Sequence, residues 1–138
     1  MPASTTVVNQ SKIIYPQGIN LTSATLKCAL FTAAVGGLSA SATLYSGLTG
    51  EVASGAGYTT GGNTLSGMSW SGTTTPQITG TIPSWTSATI TFRYAVIYDT
   101  GTGKIISYTD FGSNQTVTAG TLTLSFDVTN GYIQVSST

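Results

Sequence analysis

Apolar and polar residues alternate most regularly between Ala88 and Phe111, in the stretch ATITFRYAVIYDTGTGKIISYTDF. Ile90, Phe92, Tyr94, Val96 and Tyr98 take every second position, with Thr91, Arg93, Ala95 and Ile97 between them. A period of two puts the first set on one face of a strand and the second on the other. Asp99-Thr100-Gly101-Thr102-Gly103 then supplies turn formers, and Lys104 to Phe111 resumes with Ile105 and Ile106. Together these features predict a β-hairpin at the centre of the fold.

Weaker patterns flank it. Thr25 to Thr32 reads as a strand with Leu26, Cys28 and Leu30 on one face, and Ser39 to Tyr45 has room for one helical turn. Gly47 to Gly62 (GLTGEVASGAGYTTGG) is dense in glycine, which allows positive φ and close backbone approach; it predicts a long surface loop. Asn63 to Trp70 alternates imperfectly, and Gln77 to Ile82 is a short strand stopped by Pro83, with Trp85 in the connection to the central hairpin placed to cap one end of the core. Gln115–Thr118 and Thr121–Thr129, on either side of Ala119-Gly120, predict a second hairpin with Leu122, Leu124, Phe126 and Val128 on one face. Asn130-Gly131 suits a two-residue hairpin turn, and Tyr132 to Ser136 the last strand. Residues 1–20 read as an extended arm or edge strand, and 21–138 as the domain. Seven to nine antiparallel strands at this spacing predict an all-β, single-domain β-sandwich of jelly-roll or immunoglobulin-like type.

Composition narrows the function. Four basic and four acidic residues give a formal charge of zero, whereas about a quarter of residues are charged in an average protein. Lys12, Lys27, Arg93 and Lys104 are scattered, so phosphate neutralisation and nucleic-acid binding are not expected. Serine and threonine make up roughly a third of the chain, far above average usage. Hydroxyls are cheaper to desolvate than charged groups, which suits a surface packed against neighbours. Near-zero net charge also favours association. The same composition is common in extracellular β-domains. No apolar run is long enough to span a bilayer, so no membrane partner is expected. Met1-Pro2-Ala3-Ser4 lacks the pattern of a secretory signal, and synthesis in a cytoplasm is expected.

Candidate chemistry is sparse. Cys28 is the single cysteine, set in an apolar run, and no histidine is present to activate it. Zinc ligation would need more such ligands. The carboxylates Glu51, Asp99, Asp110 and Asp127 are dispersed, whereas acid–base catalysis needs paired groups. Asp99 reads as a turn residue, Asp127 as a solvent-facing strand residue, and Arg93 with Asp110 as a cross-strand ion pair. The glycine-rich stretch lacks the lysine of a phosphate-binding loop. Asp99 to Gly103 has one carboxylate where calcium loops use several. The expectation is therefore no enzymatic activity, no cofactor and no metal. Phe92, Tyr94 and Phe126 read as core filler. Tyr45, Tyr58 and Trp85, placed in loops, are candidates for partner contacts, as are Ile13, Ile14 and Tyr15 in the arm.

The order of short motifs resembles a family of small virion structural proteins of tailed bacteriophages. The matching pieces begin with Gly18-Ile19-Asn20-Leu21, Thr25-Leu26-Lys27-Cys28-Ala29-Leu30-Phe31-Thr32 and Gly50-Glu51-Val52. They continue with Gly57-Tyr58-Thr59-Thr60-Gly61-Gly62, Leu65-Ser66-Gly67 and Ser84-Trp85-Thr86-Ser87-Ala88-Thr89-Ile90-Thr91. Ala95-Val96-Ile97-Tyr98 and Asp110-Phe111-Gly112 complete the set. Where the family often carries a charged stretch before the first piece, Ile13-Ile14-Tyr15-Pro16 stands here. The resemblance implies a non-enzymatic virion component, foremost a capsid decoration (cement) protein on the outer surface of the shell. Its implied partners are the major capsid protein and further copies of itself, as a trimer. A tail or head–tail junction protein, or a receptor- or carbohydrate-binding β-module, are the alternatives.

Overall fold

Two long strands carry the architecture. Residues Trp85 to Asp99 and Ile105 to Phe126 are rich in β-branched and aromatic types and contain no proline, and each run forms one strand. The structure is a computed structural model that describes residues 9–13, 25–39, 44–71, 77–126 and 133–137. In chain order its first strands are β1 (Asn9–Ile13), β2 (Leu26–Gly36), β3 (Thr49–Glu51), β4 (Asn63–Thr64) and β5 (Ser66–Ser71). There follow β6 (Gln77–Thr81), β7 (Trp85–Asp99), β8 (Ile105–Phe126) and β9 (Ile133–Ser137). One 3-10 turn, η1, lies at Tyr45–Gly47, at the end of the stretch expected to hold a helical turn. Strand order runs β3-β2-β7-β8-β6-β5, with β1 and β9 also on β8 and β4 on β2. All these pairings are antiparallel. The chain is an all-β single domain, as the alternation predicts.

β7 and β8 pair from Trp85↔Leu122 to Tyr98↔Ile105, but the ladder slips in the middle. Phe92 pairs with Gln115 and Tyr94 with Asp110, so the extra residues bulge from β8. Gly112, at φ 81°, takes the left-handed conformation that the bulge requires. Across the slip the two faces of β7 exchange. Ile90 and Phe92 enter the main core together with Ala95 and Ile97. Val96 and Tyr98 join a second cluster on the opposite face, with Tyr94 packed against it. The single face expected for Ile90, Phe92, Tyr94, Val96 and Tyr98 is thus two half-faces. An interruption of the ladder changes which side each later residue presents.

Burial follows from the exchange. Between Trp85 and Phe92 the outward residues Thr86, Ser87, Thr89 and Thr91 are exposed, whereas Ala95 to Asp99 are buried on both faces. The turns expected at Gly112-Ser113-Asn114 and Ala119-Gly120 are also corrected: β8 passes through both without reversing. Ala119, at φ 47°, marks a second irregularity rather than a hairpin. Long-range pairing overrides the local turn signal, because β7 runs beside β8 along most of its length. β1 flanks the first part of β8 (Ile13↔Ser107) and β9 the last (Leu124↔Val135). Asn130-Gly131 lies outside the described residues. Asn9–Ile13 takes the edge-strand form of the expected arm, while Ile14 and Tyr15 lie outside the described residues.

The main core joins Leu26, Cys28 and Leu30 of β2 to Ile90, Phe92 and Ile97 of β7 and to Phe111, Leu122 and Leu124 of β8. Phe92 meets Phe111 edge-on, with ring centroids 5.6 Å apart. The second cluster gathers Ala29, Phe31, Val96, Tyr98 and Ile105 beneath Leu38, Tyr45 and Leu48. Cys28 is fully buried, and burial pushes its thiol up to about 12, so it behaves as a small hydrophobe.

Phe92 has no exposed surface. Phe92→Ala is expected to lower the unfolding free energy by about 3–5 kcal/mol in denaturant titrations. A loss below about 1 kcal/mol would contradict its place in the core.

Candidate functional site

The most concentrated polar arrangement forms around Glu51, at the end of β3. β3 pairs with β2 through Phe31↔Glu51, which fixes the carboxylate at the rim of the second cluster. Its Oε1 accepts hydrogen bonds from the Tyr58 hydroxyl (2.7 Å) and the Gly61 amide (2.6 Å). Its Oε2 accepts from the Tyr45 hydroxyl. The Tyr45 ring stacks on Tyr98, with centroids 4.1 Å apart and planes 9° from parallel. Tyr98 in turn donates its hydroxyl proton to the Gly61 carbonyl at 2.8 Å. Glu51, Tyr45, Tyr98 and Gly61 therefore close a ring of contacts that ties η1 and the glycine-rich stretch to the sheet.

Tyr58 has a second task. Along this edge of β2, β4 pairs with Lys27 and Cys28, while β3 begins its pairing at Phe31. The Leu30 amide falls in the gap, and the Tyr58 hydroxyl accepts it at 2.9 Å. A phenol thus stands in for a missing strand partner and satisfies a buried donor. The glycines around it permit the approach. A Cβ at Gly57 would lie 2.8 Å from Ala88 Cα, and one at Gly62 would lie 1.8 Å from the Cys28 carbonyl oxygen. The stretch expected to be a surface loop is folded inward against β2 and β7, with the Thr89 amide donating to the Ala56 carbonyl.

Burial raises the hydroxyl pKa of Tyr45, and the neighbouring Glu51 adds to the effect. Tyr58 is raised by burial as well; the Leu30 amide opposes this and Glu51 reinforces it. Tyr98 rises through burial and the same carboxylate. The phenols therefore remain protonated and act as donors. Both Glu51 oxygens already have partners, so the arrangement fastens loops.

Arg93, Asp110 and Asp99 are paired or capped where the sequence suggested. Arg93 grips Asp110 in bidentate fashion, Nε to Oδ1 at 2.8 Å and Nη2 to Oδ2 at 3.2 Å. Asp110 Oδ1 also accepts the Gly112 amide at 2.8 Å, so the ion pair sits on the bulge itself. Asp99 is the expected turn residue, accepting from the Gly101 and Thr102 amides and the Thr102 hydroxyl. Burial alone would raise its carboxyl pKa, but those three donors outweigh burial and hold it below the ordinary value.

The proposed contact residues divide. Tyr45 is half-buried beside Glu51. Tyr58 and Trp85, candidates for contacts through their place in loops, are buried, with 2% and 3% of their surface accessible, and Trp85 takes the core-capping position that its place after Pro83 also suggests. Their rings pack against each other at 6.3 Å and close one end of the main core. Trp85 Nε1 has no hydrogen-bond partner among the described residues. Ile13 lies in β1, though its side chain is outside the described residues, as are Ile14 and Tyr15. The residue that sequence reasoning missed is Glu51. Its signal was a lone acid in an uncharged glycine-rich stretch, with tyrosines on either side.

Among the described residues, no three of His, Cys, Asp and Glu gather as a metal-binding group, and no helix is long and apolar enough to cross a membrane. Compared with known proteins, this chain matches no family model, no curated protein and no solved structure.

Tyr58→Phe removes a donor to Glu51 and strands the Leu30 amide. The expected cost is about 1–3 kcal/mol in denaturant unfolding, and an unchanged midpoint would contradict the bridging role. Phenols whose pKa is raised on folding contribute stability below the unfolded value of about 10 and lose it as pH rises through the folded value. The wild-type protein should therefore destabilise on the alkaline side, and the Tyr58→Phe variant should do so less steeply.

Proposed function

We propose that this chain is a non-enzymatic structural protein of a tailed-bacteriophage virion. In that reading it is a capsid decoration protein, bound as a homo-oligomer to the outer surface of the major capsid shell. The observation that carries the reading is the position of the residues on which the family resemblance rests. Gly50-Glu51-Val52 and Gly57 to Gly62 supply the Glu51–Tyr58–Gly61 fastening. Ser84 to Thr91 brings Trp85 and Ala88 into the core. Asp110-Phe111-Gly112 supplies the ion pair, the ring contact with Phe92 and the bulge. A resemblance concentrated in fold-determining residues supports a common scaffold, and with it the structural role the resemblance implies.

A fold does not by itself set a function, and the surface adds a second support. Exposed positions on β7 and β8 are mostly hydroxyl or amide residues, and the Glu51, Asp99 and Asp110 oxygens are engaged internally. Such a domain presents shape and neutral hydrogen-bonding groups to a neighbour, which suits lateral attachment to a preformed lattice.

The test is to mix purified protein with shells of the cognate major capsid protein that lack it. Co-sedimentation with the shells and a raised shell disassembly temperature are expected. Attachment to tails or to glycans, with no binding to shells, would overturn the reading.

A further inference from the structure

Strand β8 has partners along most of its length on one side and only near its ends on the other. β7 and then β6 line the first side, from Ile105 to Ser125. Elsewhere β1 meets Ser107 to Asp110, and β9 meets Leu122 to Phe126. Ser107 and Tyr108 have partners in both β1 and β7, and Leu122 in both β9 and β7. A residue in a ladder has one neighbour on each side, so β1 and β9 share the side away from β7. Between them, among the described residues, no strand pairs with the β8 edge from Phe111 to Thr121.

Open edges present unpaired amides and carbonyls, and exposed ones commonly carry charge or proline that keeps other strands away. Phe111 to Phe126 contains neither. Irregularities at Gly112 and Ala119 bracket the gap, but Gln115, Thr116 and Val117 pair in regular succession with Phe92, Thr91 and Ile90. That stretch is laid out to take a strand on its free side.

The segments outside the described residues differ in what they can reach. Residues 72–76 and 127–132 each join strand ends that already pair, Ser71↔Gln77 and Phe126↔Ile133. Residues 40–43 end at Leu44, which bridges to Lys104 beyond the far end of β8. Residues 14–24 leave β1 at its Ser107 end, away from the gap, and lead to β2. Residues 1–8 join β1 at its other end, where Asn9 pairs with Asp110. In an antiparallel ladder each step back from Asn9 is one step forward from Asp110, so Val8 comes opposite Phe111 and Thr5 opposite Asn114. At about 3.3 Å per residue this segment is long enough to reach Thr118. Thr5, Thr6, Val7 and Val8 are β-branched, and residues 1–8 carry no charged side chain. Pro2 falls at the outer end, where an edge strand tolerates it.

We propose that residues 1–8 extend β1 along the β8 edge from Phe111 to Thr118, making this edge a strand-acceptor site filled by the chain's own N-terminal segment. Filled, the edge offers no template to another chain; emptied, it accepts an extended segment, a second copy's included. The inference goes beyond the proposed function and does not depend on attachment to a shell.

The test is hydrogen exchange of the full chain, followed by nuclear magnetic resonance. Amides of Ser113 to Thr118 that point away from β7 should be protected. A chain beginning at Asn9 should lose that protection, while amides bonded to β7 keep theirs. Should the shortened chain fail to fold, the full-chain exchange and a pair of cysteines decide. Thr5→Cys is combined in turn with Asn114→Cys and with Thr116→Cys, the next exposed position on the same face. Oxidation should link one of these pairs within a single chain, and the buried Cys28 does not compete. Thr5→Cys with Ala33→Cys, an exposed position on β2, should stay unlinked. Unprotected outward amides in the full chain, protection that survives removal of residues 1–8, no link at either position, or a link that joins two copies would overturn the inference.

Discussion

The register slip between β7 and β8 is the constraint on which the rest of the structure depends. Before it, β7 buries one face and leaves the other to solvent; after it, both faces are covered. One strand can then serve two apolar clusters with opposite side-chain parity. Arg93 and Asp110 hold the slip in place. Arg93 ties β7 to Asp110 on β8, and the same carboxylate takes the amide of Gly112, whose left-handed backbone makes the bulge. A cross-strand ion pair at an ordinary exposed site contributes little. Here its geometric effect is larger, because the accepting oxygen also fixes the irregular turn of the chain.

The second cluster needs a cover, and Glu51 fastens it. Leu38, Tyr45 and Leu48 lie over Phe31, Val96 and Tyr98, and the hydrogen bond from Tyr45 to Glu51 draws this segment toward β3. Tyr58 reaches the same carboxylate from the opposite side and completes the edge of β2 at Leu30. The glycine-rich stretch is thus a built part of the domain, and its glycines answer a packing demand at Gly57 and Gly62.

Much of this was legible in the residues, for physical reasons that also mark the limit. β2, β6 and β7 follow from local alternation and proline placement, the Asp99 turn from its hydroxyl and glycine neighbours, and the burial of Cys28 from its apolar surroundings. The Arg93–Asp110 pair follows from opposite charges on adjacent strands. The slip was not legible, because a ladder's register depends on a partner strand many residues away. For the same reason Gly112 and Ala119-Gly120 read as turns, although continuous pairing with β7 keeps β8 extended. Tyr58 read as a loop contact because its sequence neighbours are small and polar, whereas Trp85, just after Pro83, read both as a contact and as a cap on the core. Only the folded path of the glycine-rich stretch brings them together.

The slip also separates surface types: an uncharged hydroxyl ribbon on one side, and the described charges, the Arg93–Asp110 pair among them, at and beyond the crossing on the other. That division underlies the proposed assembly role. Backbone proton contacts measured by nuclear magnetic resonance between β7 and β8 test the slip most directly. The account predicts cross-strand contacts for Phe92 with Gln115 and for Tyr94 with Asp110. An unbroken ladder, in which Tyr94 instead faces Ser113, would contradict it.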